Sequence, residues 1–397
     1  MILSKEISNN YSERGKALSI YMDNAATTHL SDAAYRVYID ALHNCNGNAS
    51  SAHSDGFAAF CALSDARERI SSMLSCHPEQ IIFTSGGSES DNLAIMSCAA
   101  YGEKCGKRHI VASSIEHHAV LEPLRYLESN GFSVSYVVPR EDGIVDVNDV
   151  ISSIREDTAF ITVMYANNEI GTIQPIDEIA AECKKRGILF FTDAVQAVGH
   201  IEISLDSVNI DMMSMSAHKF HGPKGTGVLY VKDRNLLSPI IRGGMQEQGA
   251  RAGTENVPAI VAMAAALEDS LKDRDTKNAA VLHMRERLID GLLQIKGAQL
   301  NGSRALRLEG NVNVSIENVG AEQLVLLLDS YGIAVSSGSA CTARFPAPSH
   351  VLTSIGVDNV LASSSIRLTI DEYNTPDEIE AVIETVKDAV YKIRSVR

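Results

Sequence analysis

The chain reads as an α/β protein, a large domain on a mostly parallel sheet with a smaller α+β domain after it. Three observations predict this. Seven short apolar runs alternate with amphipathic, helix-like stretches, the pattern of βαβ units. Near residue 265 that alternation stops and a charged helical stretch leads into alternating strands. The chain has 397 residues, 45% hydrophobic and 21% charged, enough for a sizeable core and too apolar for global disorder.

The elements follow in order. The predicted strands are QIIFTS (80–85), HIVASS (109–114), SVSYVV (133–138), AFITVMYA (159–166), ILFFTDA (188–194), MMSMSA (212–217) and GVLYVK (227–232). Between them lie DNLAIMSCAAYGEK, AVLEPLRYLESNG and IDEIAAECKKRG. The last carries apolar residues at helical spacing and stops at Gly187. A long charged helix is predicted over about 267–297. NVNVSIENV and SSIRLTI then read as strands, and a final helix starts near residue 376.

Composition narrows the function. The 35 basic and 50 acidic side chains give a net charge of −15, which argues against broad nucleic-acid binding but allows a local phosphate pocket. The longest apolar run, Val257 to Leu267, falls short of the ~20 residues a spanning helix needs, so no membrane segment is expected. The first residues hold scattered charges and no apolar core, so no secretory leader is expected. Seven cysteines with no CxxC pair predict free thiols in a reducing, cytoplasmic setting, without a disulfide framework or intrinsic metal site.

Five stretches carry chemistry. In SMSAHKFHGPKGTGVLYV, Lys219 follows a strand and precedes a Gly/Pro turn; it fits a Schiff-base nucleophile or a plain surface lysine. In FTDAVQAVGH, Asp193 ends a strand. A buried acid there would hold a cation such as a pyridinium nitrogen, or cap the next helix, and Gln196 lies one turn on. In FTSGGSESDNLAIM, the strand-to-helix turn at Gly86, Gly87 and Ser88 suits a phosphate, although capping alone also explains Ser88 and Asp91. SSIEHHAV offers one imidazole for stacking or proton transfer, or a structural histidine. In VSSGSACTARFPAPSH, Cys341 lies among small residues and prolines that predict an exposed loop and a reactive thiolate; Cys98 and Cys183 sit in helix patterns as small buried hydrophobes. Together the five fit pyridoxal phosphate (PLP) chemistry with a cysteine nucleophile.

The ordered motifs MDNAATT, GNASSAH, FTSGGSESDNLAI, EHHAV, ANNEIGTIQPI, TDAVQAVG, SAHKFHGPKG, RAGTEN, SSGSAC and SSSIRL span nearly the whole chain. In these the sequence resembles the cysteine desulfurases of the NifS/IscS type, within the class V PLP enzymes of aspartate aminotransferase-like fold type I. The resemblance implies a seven-stranded large PLP-binding domain over 31–265 and a small domain over 266–397 that carries the cysteine loop. Residues 1–30 would associate with the small domain. It implies that Lys219 carries PLP as a Schiff base, Asp193 holds the ring nitrogen, Gln196 bonds the ring hydroxyl and His117 stacks on the ring and moves protons. Asn168 would contact cofactor and substrate; Gly87, Ser88, Ser216 and His218 would bind the phosphate. Thr254 would reach the partner subunit's phosphate in a homodimer, and Arg367 would grip the substrate carboxylate.

The implied reaction removes sulfur from L-cysteine as a persulfide on Cys341 and releases L-alanine. The sulfur would pass to acceptor proteins, such as an iron–sulfur scaffold or a tRNA-thiolation enzyme, and Cys341 could share a cluster with a scaffold. Departures from the family pattern are Ala49 where Pro is usual, Met245 where Gly is common, and Arg344 and Phe345 after the cysteine. The spacing after Cys341 is that of the NifS/IscS branch rather than the SufS-like one. Selenocysteine lyase, another class V activity, or a non-catalytic sulfur-transfer scaffold are the alternatives; Lys219, His117 and Cys341 together speak against the scaffold.

Overall fold

The computed structural model describes residues 20–337 and 348–395. The chain divides into two compact units. One takes residues 20–26, Asp275–Gly302 and the described residues from Glu309 onward; the other takes Thr27–Arg274 and Ser303–Leu308. In chain order the first elements are β1 (Ile20–Tyr21), α1 (Asp32–Asn44), α2 (Ser54–Met73), β2 (Ile81–Thr84), α3 (Gly87–Lys104), β3 (His109–Ser113), α4 (His118–Ser129) and β4 (Ser133–Val137). There follow α5 (Val147–Ser152), β5 (Thr158–Thr162), α6 (Ile176–Arg186), β6 (Leu189–Asp193), β7 (Met212–Ser216), β8 (Gly227–Val231) and α7 (Val257–Leu271).

The larger unit holds a seven-stranded sheet in the order β2-β8-β7-β6-β5-β3-β4. Strands β7, β6, β5, β3 and β4 run parallel, and β8 alone runs against its neighbours β7 and β2. Period-two alternation sorts the strand side chains into two cores. Ile161, Phe190, Met213 and Val228 face one, and Phe160, Phe191, Met212 and Leu229 face the other. Helices cover both faces, which is why these strands are apolar on both sides. The edge strand β4 instead exposes Ser133 and Tyr136.

Two segments differ from their sequence pattern. The strand expected over 159–166 ends at Thr162, because Met164 N–H turns to the Glu116 carboxyl and Tyr165 N–H to the Asp193 carbonyl. The single helix expected over about 267–297 is two, α7 and α8 (Arg274–Leu292). The break falls at Asp273, whose φ of 52° is left-handed and cannot continue a helix.

The smaller unit contains β9 (Ala298–Leu300), β10 (Asn311–Ile316), α9 (Ala321–Ser330), β11 (Ile333–Ala334), α10 (His350–Ser354), α11 (Asn359–Ala362), β12 (Ser365–Thr369) and α12 (Pro376–Ser395). Strands β12, β10 and β9 form an antiparallel sheet, and β1 pairs in parallel with β11. Leu288, Leu292, Val382 and Val386 pack with Val312, Val314 and Leu368 in its core. Residues 303–308 belong to the larger unit because Leu306, Arg307 and Leu308 pair with the 171–173 backbone. Among the described residues no helix is long and apolar enough to cross a membrane.

Candidate active site

In a parallel sheet the carboxyl ends of the strands collect the loops that bind ligands. Here β2, β3, β5, β6 and β7 all deliver polar residues at that end. Strand β2 leads into Ser85-Gly86-Gly87-Ser88 and the start of α3, an 18-residue helix with no capping side chain at its N-terminus. Gly86 has φ 148°, a value few side chains tolerate. A Cβ on Gly87 would come within 2.7 Å of the Val195 side chain, and one on Gly227 within 2.7 Å of Gly86 Cα. The glycines therefore let backbone approach backbone and leave the first N–H groups of α3 open to an anion.

An open pocket of about 330 Å³ lies there, lined by Gly86, Gly87, Ser88, Ser216, His218, Thr27 and Lys224 among others. Gly87, Ser88, Ser216 and His218, the four residues the resemblance groups at a phosphate, thus line one pocket. Burial, reinforced by Lys219 and Lys224, pushes His218 down to about 4, so it is a neutral imidazole near pH 7. Its Nδ1 lies 3.2 Å from Thr27 Oγ1. Glu89, in the first turn of α3, is the acid that would oppose an anion. Burial raises its pKa, but hydrogen bonds from Arg251 and Ser85 outweigh this and hold it below the usual range. Arg251 Nε reaches Glu89 at 2.8 Å and discharges that carboxylate.

Asp193 is the last residue of β6 and is buried; its Oδ1 accepts from Val195 N–H at 2.9 Å. Burial raises its pKa, while the charge of His117, the Val195 N–H and the charge of Lys219 pull it back. So Asp193, His117 and Lys219 interact electrostatically within one unit. Lys219 is half-buried and ends a single 3-10 turn, Ala217–Lys219, between the antiparallel neighbours β7 and β8. That turn is laced in place: Thr28 N–H donates to the His218 carbonyl, Ser31 N–H to the His221 carbonyl, and His200 Nε2 lies 3.1 Å from the Lys219 carbonyl.

His117 caps α4, and its Nδ1 accepts from Ala119 N–H at 3.1 Å. The His118 ring lies 6.4 Å from that of His117, inclined 61° to it. Gln196 is buried in the turn after β6. Of the two asparagines after β5, Asn167 is consumed by structure. Its Nδ2 donates to the Ile115 carbonyl, and its Oδ1 accepts from Glu169 and Ile170 N–H. Asn168 lies half-buried in the turn beside it.

The remaining sequence candidates stand elsewhere. Thr254 is exposed in the loop before α7. Arg367, in the smaller unit, is 2% exposed in the middle of β12, with Nη2 2.9 Å from Asp23 Oδ1. Cys341 lies outside the described residues; the six described cysteines, Cys98 and Cys183 buried among them, are free. Sequence reasoning missed Thr27 and Lys224 at the anion pocket. The signals were present, since Thr27 sits in MDNAATT and Lys224 in the Gly/Pro turn after Lys219, but neither pattern says which way a side chain faces.

The larger unit can thus hold a phosphate monoester, pair a buried carboxylate with a cationic ring and present an amine. The aminotransferase class-V family matches residues 20–382. A cysteine desulfurase IscS from Methanosarcina thermophila is 43% identical over 98% of this chain and 95% of its own. One from Dictyoglomus turgidum is 42% identical over 95% and 96%. Among solved structures a NifS-like protein superposes with TM-score 0.89 at 36% identity, covering 94% of this chain and 100% of its own. SspA in complex with cysteine superposes with TM-score 0.79 at 35% identity over 90% and 100%.

Proposed function

The chain belongs to the aminotransferase class-V family, and we propose that within it the protein works as a cysteine desulfurase. L-cysteine gives up its sulfur to Cys341 and leaves as L-alanine. The observation that carries the reading is the placement of Asp193 at the end of β6 and Lys219 in the turn that follows the adjacent strand β7, in a chain that IscS cysteine desulfurases match over nearly its whole length. The family is PLP-dependent, and the residues present fit that cofactor: an open helix N-terminus that side chains would fill, a buried carboxylate and a neighbouring amine. When bound, PLP supplies an electron sink for the substrate's α-carbon.

The chain's own residues do the rest. Gly87, Ser88, Ser216 and His218 hold the phosphate, and Thr254 serves the partner copy's phosphate in a homodimer. Asp193 keeps the ring nitrogen protonated, and Gln196 bonds the ring hydroxyl. His117 stacks on the ring and assists proton transfer, while Asn168 contacts cofactor and substrate. Lys219 would hold the cofactor through its Nζ, and the same amine would take the substrate's α-proton. Arg367 receives the substrate carboxylate on its planar fork. Cys341 acts as thiolate: its Sγ attacks the cysteine sulfur, an S–S bond forms as the C–S bond breaks, and the electron pair of that bond returns to carbon, which takes a proton. The persulfide then passes to an acceptor protein in a reducing, cytoplasmic compartment, with iron–sulfur assembly or tRNA thiolation as the receiving chemistry.

The test is product stoichiometry from L-cysteine with a thiol reductant. Wild type gives alanine and sulfide in equal amounts, and Cys341→Ser binds cofactor normally but makes neither. A Cys341→Ser protein with full sulfur release would move the nucleophile elsewhere.

A further inference from the structure

The anion pocket beside the glycine-rich turn contains an acid of its own. Glu89, in the first turn of α3, lines it together with Gly87, Ser88, Ser216 and His218. The Glu89 side chain is 9% exposed, and its Oε2 accepts from Ser85 N–H at 2.9 Å. A carboxylate in that place competes for the positive end of the helix and repels an entering anion. Lys224 and His218 face the pocket from the turn after β7, and His218 is neutral near pH 7. Arg251 approaches from the loop before α7, with Nε 2.8 Å from Glu89 Oε1 and Nη2 3.2 Å from Oε2. The acids acting on Arg251 besides Glu89 are Glu247 and Glu255.

A second anchor brings Arg251 there. Glu247, in the same loop and 6% exposed, takes both ends of the Arg67 guanidinium, at 2.9 and 2.6 Å, and Phe83 N–H of β2 at 3.0 Å. Arg234 Nη2 donates to the Glu247 carbonyl at 2.7 Å. Glu247 and Gln248 have φ of 48° and 55°, left-handed values that few side chains adopt, and the surrounding bonds hold that backbone in place. The loop is thus fastened to β2 through Glu247 and to the start of α3 through Arg251. Of the two pairs, the Arg251–Glu89 pair includes a pocket-lining residue.

We propose that Arg251 is a positioning residue that sets the pocket's affinity for a phosphate through Glu89, holding that carboxylate beside Ser85 N–H and cancelling its charge. The first N–H groups of α3 and Lys224 then meet an incoming phosphate unopposed. The pair is therefore asymmetric. Loss of the arginine leaves an anion beside the phosphate, whereas loss of the acid leaves a cation there. An ion pair that served folding alone would make both losses harmful. This rests on the reading of the pocket as the PLP phosphate site.

The test measures PLP dissociation from the visible band of the holoenzyme, with pyridoxal, which lacks the phosphate, as control ligand. Arg251→Gln should weaken PLP at least about tenfold and leave pyridoxal within about twofold. Glu89→Gln, which keeps an acceptor for Ser85 N–H, should bind PLP at least as tightly as wild type. The double variant should return to within about threefold of wild type. Burial raises Glu89 and Arg251 opposes it, so without the arginine the acid takes up its proton at higher pH. The Arg251→Gln deficit should therefore shrink as pH falls from about 8 to about 5. It is taken as a ratio to wild type at each pH, so that the titrations of His218, Lys219 and the phosphate cancel. Arg251→Lys keeps the charge and should stay within about threefold of wild type; with Glu89→Gln it decides the matter should Arg251→Gln fail to fold. The inference is overturned if Arg251→Gln keeps wild-type PLP affinity, if Glu89→Gln weakens PLP as Arg251→Gln does, if the double variant stays as weak as Arg251→Gln, or if the deficit does not change with pH. A wild-type protein that binds pyridoxal as tightly as PLP would instead overturn the phosphate reading of the pocket, whatever Arg251 does.

Discussion

The two units fix their candidate groups by different means. In the larger unit each group stands at a strand or helix end and is held by backbone. Asp193 takes Val195 N–H, His117 takes Ala119 N–H, and the Lys219 turn is tied by Thr28 and Ser31. In the smaller unit Arg367 stands inside a strand, paired with Asn313 across the sheet, and its guanidinium meets the Asp23 carboxylate. Backbone tethers cannot be exchanged for a ligand, whereas a carboxylate partner can be. The larger unit's candidate groups are therefore held in one pose. The smaller unit carries an arginine whose present partner has the chemistry of an incoming substrate carboxylate.

The largest expected effect breaks the cofactor side. Lys219→Ala should remove the visible band of bound cofactor and cut alanine formation at least about a thousandfold, measured by absorbance and product assay. A normal band would mean the lysine is not the attachment point. On the substrate side the loss should be smaller and of another kind. Arg367→Ala should raise KM for L-cysteine roughly 10- to 100-fold and leave PLP affinity unchanged. If kcat fell and KM did not, the arginine would be acting on the chemistry and the contrast between the units would fail.

The smallest effect sharpens the contrast through pH. Burial pushes Glu116 up to about 8, with Ser113 and Met164 pulling it down and Asp193 adding to the rise. Between its ordinary value of 4.5 and 8, the folded protein keeps a proton that the unfolded chain has released. The stability this gives is complete below 4.5 and is lost as pH rises through 8. Glu116→Gln should flatten that part of the denaturant-stability curve, and a slope equal to wild type would place the proton elsewhere.

Local pattern went far for this chain. The seven strands lie within a few residues of their apolar runs, because a strand buried on both faces needs unbroken hydrophobic sequence. The exceptions are instructive. Residues 163–166 are apolar enough for a strand, yet Glu116 and Asp193, distant in sequence, claim their N–H groups. The charged stretch near 272 has no breaker residue, and only the left-handed Asp273 divides it.

By itself the sequence determined the class of fold, the glycine-rich turn after β2 and the ordered motifs that mark the chemistry, because each depends on a few adjacent residues with fixed conformational demands. Only the tertiary structure decided where each member of the adjacent pairs stands. It showed Asn167 consumed by backbone while Asn168 is left in the turn, and His117 rather than His118 acting on Asp193. It set Ser214 opposite Asp193, and a neutral His218 beside Lys224. Those outcomes depend on burial and on which carboxyl finds a cation, quantities that arise only when strands far apart in the chain pack side by side.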